Sequence, residues 1–203
     1  MVVFSLIFLT KLHLDYSLGD RLFEVLGVSP WTSKEQSGLH ITALLGFVLL
    51  IIGVVGTVRH YRSKYPKILS RIIIGCFAFT FIYPILIEKI MFLAKHNASG
   101  INSIDVKDGR CNFQTVETVV KANCTFTFYN YGKEKSIVVK PIMKNNDADI
   151  EIEERTVSIS PHSRVNLGTQ FEGKQRNGTG FSGTLNQISI EIMVNGNRKR
   201  FDE

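Results

Sequence analysis

Two long stretches without charged residues, separated by a short basic segment, dominate the hydropathy pattern of the chain. The first covers residues 41–58 (ITALLGFVLLIIGVVGTV), and the second covers residues 72–87 (IIIGCFAFTFIYPILI), directly before Glu88 and Lys89. As a helix, the first stretch would be about 27 Å long, close to the ~30 Å hydrocarbon core of a bilayer. The pattern therefore predicts a transmembrane helical hairpin over residues 41–95.

The segment between the two stretches, residues 59–71, determines the predicted orientation because it contains five cations and no acidic residue. The five are Arg59, Arg62, Lys64, Lys67 and Arg71. Loops that are rich in lysine and arginine stay in the cytoplasm. We therefore expect a multi-pass protein of the cell membrane, with a cytoplasmic basic loop and with the C-terminal region outside the cytoplasm.

The first forty residues combine an apolar arm with an external amphipathic segment. Residues 1–10 (MVVFSLIFLT) form either a short first transmembrane helix or an apolar arm on the outer leaflet, and whether residues 1–18 span the membrane stays open. Asp20–Leu26 is predicted to be a short amphipathic turn that Gly27 ends. Trp31 is predicted to lie at the membrane interface, where its amphipathic ring is favoured.

Beyond a polar linker at residues 96–100, the apolar positions change from a helical period to alternation. This alternation predicts that residues 101–203 form an extracytoplasmic antiparallel β-sandwich of about six to eight strands. The strands are expected at residues 124–131, 136–143, 150–159 (as one strand or two), 165–171, 187–194 and 197–202.

Turn-forming residues refine this prediction. Asn195 and Gly196 are a strong signal for a tight hairpin. Pro141 cannot donate a ladder hydrogen bond, so its strand should be at a sheet edge or bulged there. The glycine-rich residues 172–183 (EGKQRNGTGFSG) are expected to form a surface loop.

The segment from Cys124 to Phe171 resembles small immunoglobulin-like domains that occur outside cells. The shared features are an alternating strand that runs into Asn130, Tyr131 and Gly132, and a later strand that ends at Ser160 and Pro161 before Val165. The whole layout is similar to uncharacterised small membrane proteins of Gram-positive bacteria with an extracytoplasmic immunoglobulin-like domain. This resemblance implies an architecture and a location but no activity, and residues 101–203 lack the tryptophan of antibody domains.

The net charge of +6 argues for topology rather than for a nucleic-acid partner. The basic loop carries five of these charges, whereas residues 101–203 contain fourteen basic and thirteen acidic residues. No basic surface is therefore expected on the C-terminal domain, and no nucleic-acid binding.

The three cysteines divide between the two regions in the same way. Cys111 and Cys124 lie in the part predicted to meet an oxidising compartment, which favours a disulfide between them. Closing a loop of this length would stabilise the domain by about 3 kcal/mol. Cys76 lies within the second apolar stretch, where a small soft side chain usually packs.

The sequence contains no hydrolase, metalloprotease or nucleotide-binding motif, so we expect no catalytic residue, no cofactor and no metal. The one candidate polar cluster is interfacial and consists of Glu88, Lys89, His40 and His96, provided that the helix ends meet.

These observations predict a non-enzymatic, membrane-anchored protein whose extracytoplasmic β-sandwich interacts with a protein or a cell-envelope component. The alternative is an accessory subunit of a membrane enzyme, a transporter or a signalling complex. The lipid bilayer is the expected environment of the helices, and a homo-oligomer is left open by the small residues of the first stretch.

Overall fold

The computed structural model describes residues 1–33, 38–116, 119–143, 150–175, 182–186 and 188–201. The described residues form four α-helices, one short 3-10 helix and nine β-strands. The chain divides into two compact units, Met1–Ile90 and Met91–Glu203. The helices therefore belong mainly to the first unit, and all of the strands belong to the second.

The α-helices are α1 (Val2–Leu9), α2 (Leu18–Val25), α3 (Ile41–Tyr61) and α4 (Ile68–Ala94). At 1.5 Å per residue, α3 is about 31 Å long and α4 about 40 Å. Both are long and apolar enough to cross a membrane. Both helices extend past the predicted apolar stretches, since α3 includes Arg59 and α4 includes Arg71. Residues 62–67 connect the two helices. The predicted pair of apolar helices with a basic connection is confirmed.

Helix α1 is only about 12 Å long, so it is too short to cross a bilayer core of ~30 Å by itself. It packs against the glycines of α3. A Cβ atom added to Gly46 would lie 2.7 Å from the Cγ of Leu9, and one added to Gly53 would lie 3.0 Å from the backbone nitrogen of Val2. Helix α1 therefore runs antiparallel to α3, and the small residues of α3 receive it.

The two long helices leave most of their apolar side chains uncovered. Only 17% of the most apolar window of α3 and 6% of that of α4 is buried. The exposed apolar side chains of α3 include Leu44, Leu45, Phe47, Val48, Ile51, Ile52 and Val55, and those of α4 include Ile73, Ile74, Phe77, Phe81, Ile82, Ile85 and Leu86. The core helix of a soluble protein is mostly buried, so neither helix has the burial of such a core helix.

The second unit consists of two antiparallel sheets. The strands are β1 (Ile104–Val116), β2 (Val119–Asn130), β3 (Ser136–Ile142), β4 (Ile150–Ile152), β5 (Arg155–Ser158), β6 (Ser163–Gln175), β7 (Ser182–Asn186), β8 (Ser189–Val194) and β9 (Asn197–Phe201). One sheet has the order β4-β6-β2-β1-β7, and the other has the order β5-β3-β8-β9. The 3-10 helix, Gly100–Ser103, directly precedes β1.

The core lies between the two sheets because alternate side chains point towards it. Phe113, Phe126 and Phe171 from the five-stranded sheet are fully buried, as are Val139 and Ile192 from the four-stranded sheet. Burying one such side chain contributes about 1.5–3 kcal/mol relative to leaving it exposed. The sandwich thus has a closed apolar core of its own, and the predicted sandwich architecture is confirmed.

Several predicted strand features are confirmed. Asn195 and Gly196 have φ angles of 51° and 82° and join β8 to β9 in a tight hairpin. Residues 150–159 form two strands, β4 and β5, which lie in different sheets. Pro141 pairs with β8, whereas the pairing of β3 with β5 ends at Val139, so among the described residues the proline lies at an edge of the sheet beyond β5.

The prediction of a loop over residues 172–183 was wrong at both of its ends. Residues 172–175 complete β6, and Ser182 and Gly183 belong to β7, while residues 176–181 lie outside the described residues. Gly173 is required for pairing rather than for a turn. A Cβ atom there would lie 2.5 Å from the carbonyl oxygen of Glu151 in β4.

Candidate functional site

The polar cluster that we single out begins at the N-terminus of α2, where the sequence contains a capping box. The backbone N–H of Ser17 donates to Oδ2 of Asp20 (2.8 Å), and the backbone N–H of Asp20 donates to Oγ of Ser17 (3.1 Å). At the other end, Gly27 has a φ of 73°, and the N–H of Val28 donates to the carbonyl of Phe23 (2.9 Å). This Schellman-type ending confirms the prediction that Gly27 ends the segment.

Asp20 connects α2 to the start of α3. Its Oδ1 accepts a hydrogen bond from the Thr42 hydroxyl and lies 2.8 Å from Nε2 of His40. The Thr42 hydroxyl is also 3.0 Å from the same His40 nitrogen. Asp20 and Thr42 are both buried. Three side chains from two elements therefore form one compact hydrogen-bonded group, which we call the Asp20 cluster.

The loop before α3 holds His40 in place. The Trp31 and His40 rings stack with their centroids 4.3 Å apart and their planes inclined by 19°. The two residues also form an isolated β-bridge, and the backbone N–H of Ile41 donates to the carbonyl of Pro30 (2.8 Å). Residues 34–37 lie outside the described residues. Trp31 thus supports the imidazole that approaches Asp20.

The electrostatics of the cluster favour an ionised Asp20. Burial raises the pKa of Asp20, but hydrogen bonds from Thr42 and Ser17 and the neighbouring His40 lower it by more. The net result is a pKa below the ordinary value for aspartate. The carboxylate is consequently charged at neutral pH and binds its donors strongly.

The Asp20 cluster lacks the geometry of a catalytic triad. In a triad, the acid holds one histidine nitrogen while the other nitrogen activates the hydroxyl. Here the same atom, Nε2 of His40, faces both Asp20 and Thr42, and the Thr42 hydroxyl donates directly to the carboxylate. The arrangement is suited to a structural role, in which the hydrogen bonds of Asp20 hold α2 against the start of α3.

A second polar group lies within the sandwich unit. Lys95 Nζ is 2.9 Å from Oδ2 of Asp105 and 4.7 Å from the centroid of the Tyr131 ring. The ring of His96 stacks on that of His162 with centroids 4.0 Å apart. Nδ1 of His162 lies 2.7 Å from the carbonyl oxygen of Tyr131. Lys95 is therefore bonded to the sandwich, and His96, the first residue of the predicted linker, packs on it.

The four residues of the predicted interfacial cluster have different surroundings. His40 belongs to the Asp20 cluster in the first unit, and His96 stacks on His162 in the second unit. Glu88 and Lys89 lie in α4. The convergence of these four residues stays a prediction.

The five cations of the basic segment are all exposed. Two of them approach an aromatic ring, since Lys64 Nζ is 5.8 Å and Arg71 Cζ is 5.9 Å from the centroid of Tyr65.

Among the described residues there is no group of three or more histidine, cysteine, aspartate or glutamate side chains that could hold a metal ion.

The predicted pairing of Cys111 with Cys124 is confirmed. The two residues are directly opposed in the β1–β2 register, and their sulfur atoms are at bonding distance. Both are buried in the sandwich core. Cys76 is a free, partly covered thiol in α4.

The Asp20 cluster escaped sequence reasoning because Asp20 and Thr42 are separated by 22 positions with no periodic relation between them. One local signal was present, namely Ser17 three residues before Asp20, which is the spacing of a capping box.

Comparisons with protein-family models, with curated proteins and with solved structures found no match to this chain.

Proposed function

We propose that the chain is a non-enzymatic, multi-pass membrane protein that displays an extracytoplasmic β-sandwich to a protein or cell-envelope partner. The observation that carries the proposal is the exposed apolar surface of α3 and α4, which contrasts with the closed core of the sandwich. Leaving a large apolar side chain in water instead of burying it costs about 1.5–3 kcal/mol. A bilayer removes this cost for both helices at once.

The charge distribution supports the proposed orientation. The basic segment, residues 59–71, exposes five cations without an acidic residue, which favours a cytoplasmic position. Because α4 ends at Ala94, the chain then leaves the membrane on the opposite side, and the sandwich follows it.

We further propose that the sandwich is immunoglobulin-like. Strands β1, β2, β6 and β4 are neighbours in one sheet, as are strands A, B, E and D of that fold, and β3, β8 and β9 match strands C, F and G. Strands β5 and β7 would be additions at two sheet edges. The disulfide departs from the antibody pattern, since it joins neighbouring strands of one sheet.

The proposed orientation is tested with single cysteines and a membrane-impermeant thiol reagent in intact cells. The background is Cys76→Ser, and the reporter is Asn197→Cys, an exposed position at the start of β9. The reporter avoids the preceding turn, because Asn195 has a positive φ that disfavours most side chains. Ser63→Cys in the basic connection is the matched control.

We expect the reagent to label the Asn197→Cys variant in intact cells and to label the Ser63→Cys variant only after lysis. The opposite pattern, with both variants folded, would refute the proposed orientation. Labelling of both sites in a soluble fraction would refute the membrane location.

The partner is sought by photocrosslinking from the outer face of the five-stranded sheet. A photoreactive residue replaces Thr125, which is exposed in β2 and points away from the core. The same residue at Ser63 is the control. A protein or envelope component captured from Thr125 but not from Ser63 supports the proposal, whereas a partner captured only from Ser63 contradicts it.

A further inference from the structure

We infer that α2 is a membrane-surface helix whose exposed apolar face inserts into the interfacial layer of the bilayer beside the N-terminal end of α3. The inference rests on the proposed membrane location. It adds a lipid-binding surface outside the two long helices, and it gives the Asp20 cluster a purpose, which is to hold this surface at a fixed depth.

Helix α2 has three distinct faces. One faces α1, since a Cβ atom on Gly19 would lie 2.8 Å from the ring of Phe8, and the rings of Phe8 and Phe23 are 6.4 Å apart. A second carries Asp20, which is bonded to Thr42. The third face is apolar and exposed, and it consists of Leu18 (41%), Leu22 (48%), Val25 (74%) and Leu26 (66%).

The spacing of these four residues, i, i+4, i+7 and i+8, places them on one side of the helix. A face of this kind on a short helix normally packs against the core, yet here it is left uncovered while the neighbouring face packs on α1. Exposure of a whole apolar face marks a binding surface.

The surroundings of α2 identify the bilayer as the occupant. The bond from Thr42 to Asp20 places α2 next to the first turn of α3, and the exposed apolar surface of α3 begins at Leu44, in that same turn. The apolar face of α2 is therefore at the level where the lipid-facing surface of α3 starts. Trp31 is fixed at the same level through His40, as expected for an indole at a membrane interface.

The charged residues of α2 agree with this placement. Arg21 and Glu24 form an exposed ion pair of 3.3 Å. At about 100° of rotation per residue, Arg21 borders the apolar face and Glu24 lies on the opposite side of the helix. An amphipathic helix with this division lies in the plane of the interface, with its apolar side in the acyl region and its charges in water.

The test uses the full chain with Cys76→Ser in vesicles of phosphatidylcholine and phosphatidylglycerol. An environment-sensitive fluorophore is attached to Val25→Cys on the apolar face or to Glu24→Cys, an exposed position on the opposite side of the helix. Quenching is measured with aqueous iodide and with nitroxide-labelled lipid. We expect the Val25 label to be quenched by the lipid and several-fold less by iodide than the Glu24 label. Equal quenching of both labels by iodide would overturn the inference.

Further positions separate the outcomes. Leu26→Cys repeats the measurement if Val25→Cys does not fold. Ile74→Cys, an exposed position in α4, reports on the membrane location itself. If iodide reaches Ile74, the proposed function fails; if the lipid quenches Ile74 while iodide reaches Val25, only the α2 inference fails. A Val25 label that is shielded from both quenchers, together with chemical crosslinking of two copies, would assign the face to a second copy and also overturn the inference.

Discussion

At the scale of single residues, Asp20 receives hydrogen bonds from groups that are distant in the chain. Ser17 caps the helix in which Asp20 lies, whereas Thr42 and His40 belong to the start of α3 and the loop before it. A buried carboxylate depends on such donors, because an unpaired buried charge would be expensive. The stability of the first unit should therefore be sensitive to each donor.

We expect Thr42→Val to reduce the free energy of unfolding of the first unit by about 1–3 kcal/mol, because the buried Asp20 carboxylate loses a donor. Thermal or denaturant unfolding in detergent measures the change. Thr57→Val is the matched control, since the Thr57 hydroxyl donates to the carbonyl of Gly53 within α3 (2.7 Å). Equal losses in the two variants would contradict the importance of the Asp20 cluster.

The depressed pKa of Asp20 also predicts a pH dependence. Its stabilising effect should be complete above the unfolded-state pKa of aspartate, about 3.9, and should disappear as the pH falls through the lower folded-state value. The difference in melting temperature between the wild type and Asp20→Asn should thus shrink as the pH falls below about 4. A difference that persists unchanged into strong acid would refute this assignment.

At the scale of elements, the first unit is organised by the packing of α1 on the glycine face of α3. Gly46 and Gly53 approach Leu9 and Val2 closely, whereas a Cβ atom on Gly56 would meet nothing within 4 Å. Small residues permit this approach of backbones where lipid offers no hydrophobic drive for association. The two kinds of glycine in one helix provide a direct comparison.

We expect Gly46→Leu to displace α1, because overpacking of this kind typically costs about 1–3 kcal/mol. Hydrogen exchange of the Val2–Leu9 amides should become faster in this variant. The same exchange should stay at the wild-type rate in Gly56→Leu. Faster exchange in both variants would indicate a general disturbance of α3 instead.

The elements that could be predicted from the sequence are those with a regular pattern of apolar and polar residues. The apolar runs of α3 and α4, the alternation of β2 and the Asn195-Gly196 hairpin are visible locally in the sequence. Strand β1 was not predicted, because a bulge interrupts its alternation: its register against β2 shifts between Lys107 and Arg110, and Asp108 has a φ of 59°. The Asp20 cluster depends on contacts between distant residues, which no local pattern records.

At the scale of the whole molecule, the two units differ in how much of their apolar surface is buried. The sandwich closes its apolar side chains between two sheets, whereas the long helices expose theirs. The disulfide lies wholly within the sandwich, between β1 and β2. Its removal should therefore weaken that unit selectively.

We expect the double variant Cys111→Ala and Cys124→Ala to lower the free energy of unfolding of the sandwich by about 3 kcal/mol. Pulse proteolysis in urea, read from fragments of the second unit, measures the change. Cys76→Ala, which lies in α4, is the control and should leave the sandwich unaffected. An unchanged stability of the double variant would show that the bond does not constrain the unfolded chain.

The oxidation state of the same two cysteines indicates the compartment in which the sandwich folded. Thiols in the cytosol are kept reduced, whereas those that fold beyond the membrane are oxidised. Because Cys111 and Cys124 are buried, their covalent state resists exchange once the two sheets have closed. If cells are treated with an alkylating agent before any reductant is added, the two cysteines should stay unmodified in protein that folded in an oxidising compartment. They should be alkylated in protein that folded in the cytosol.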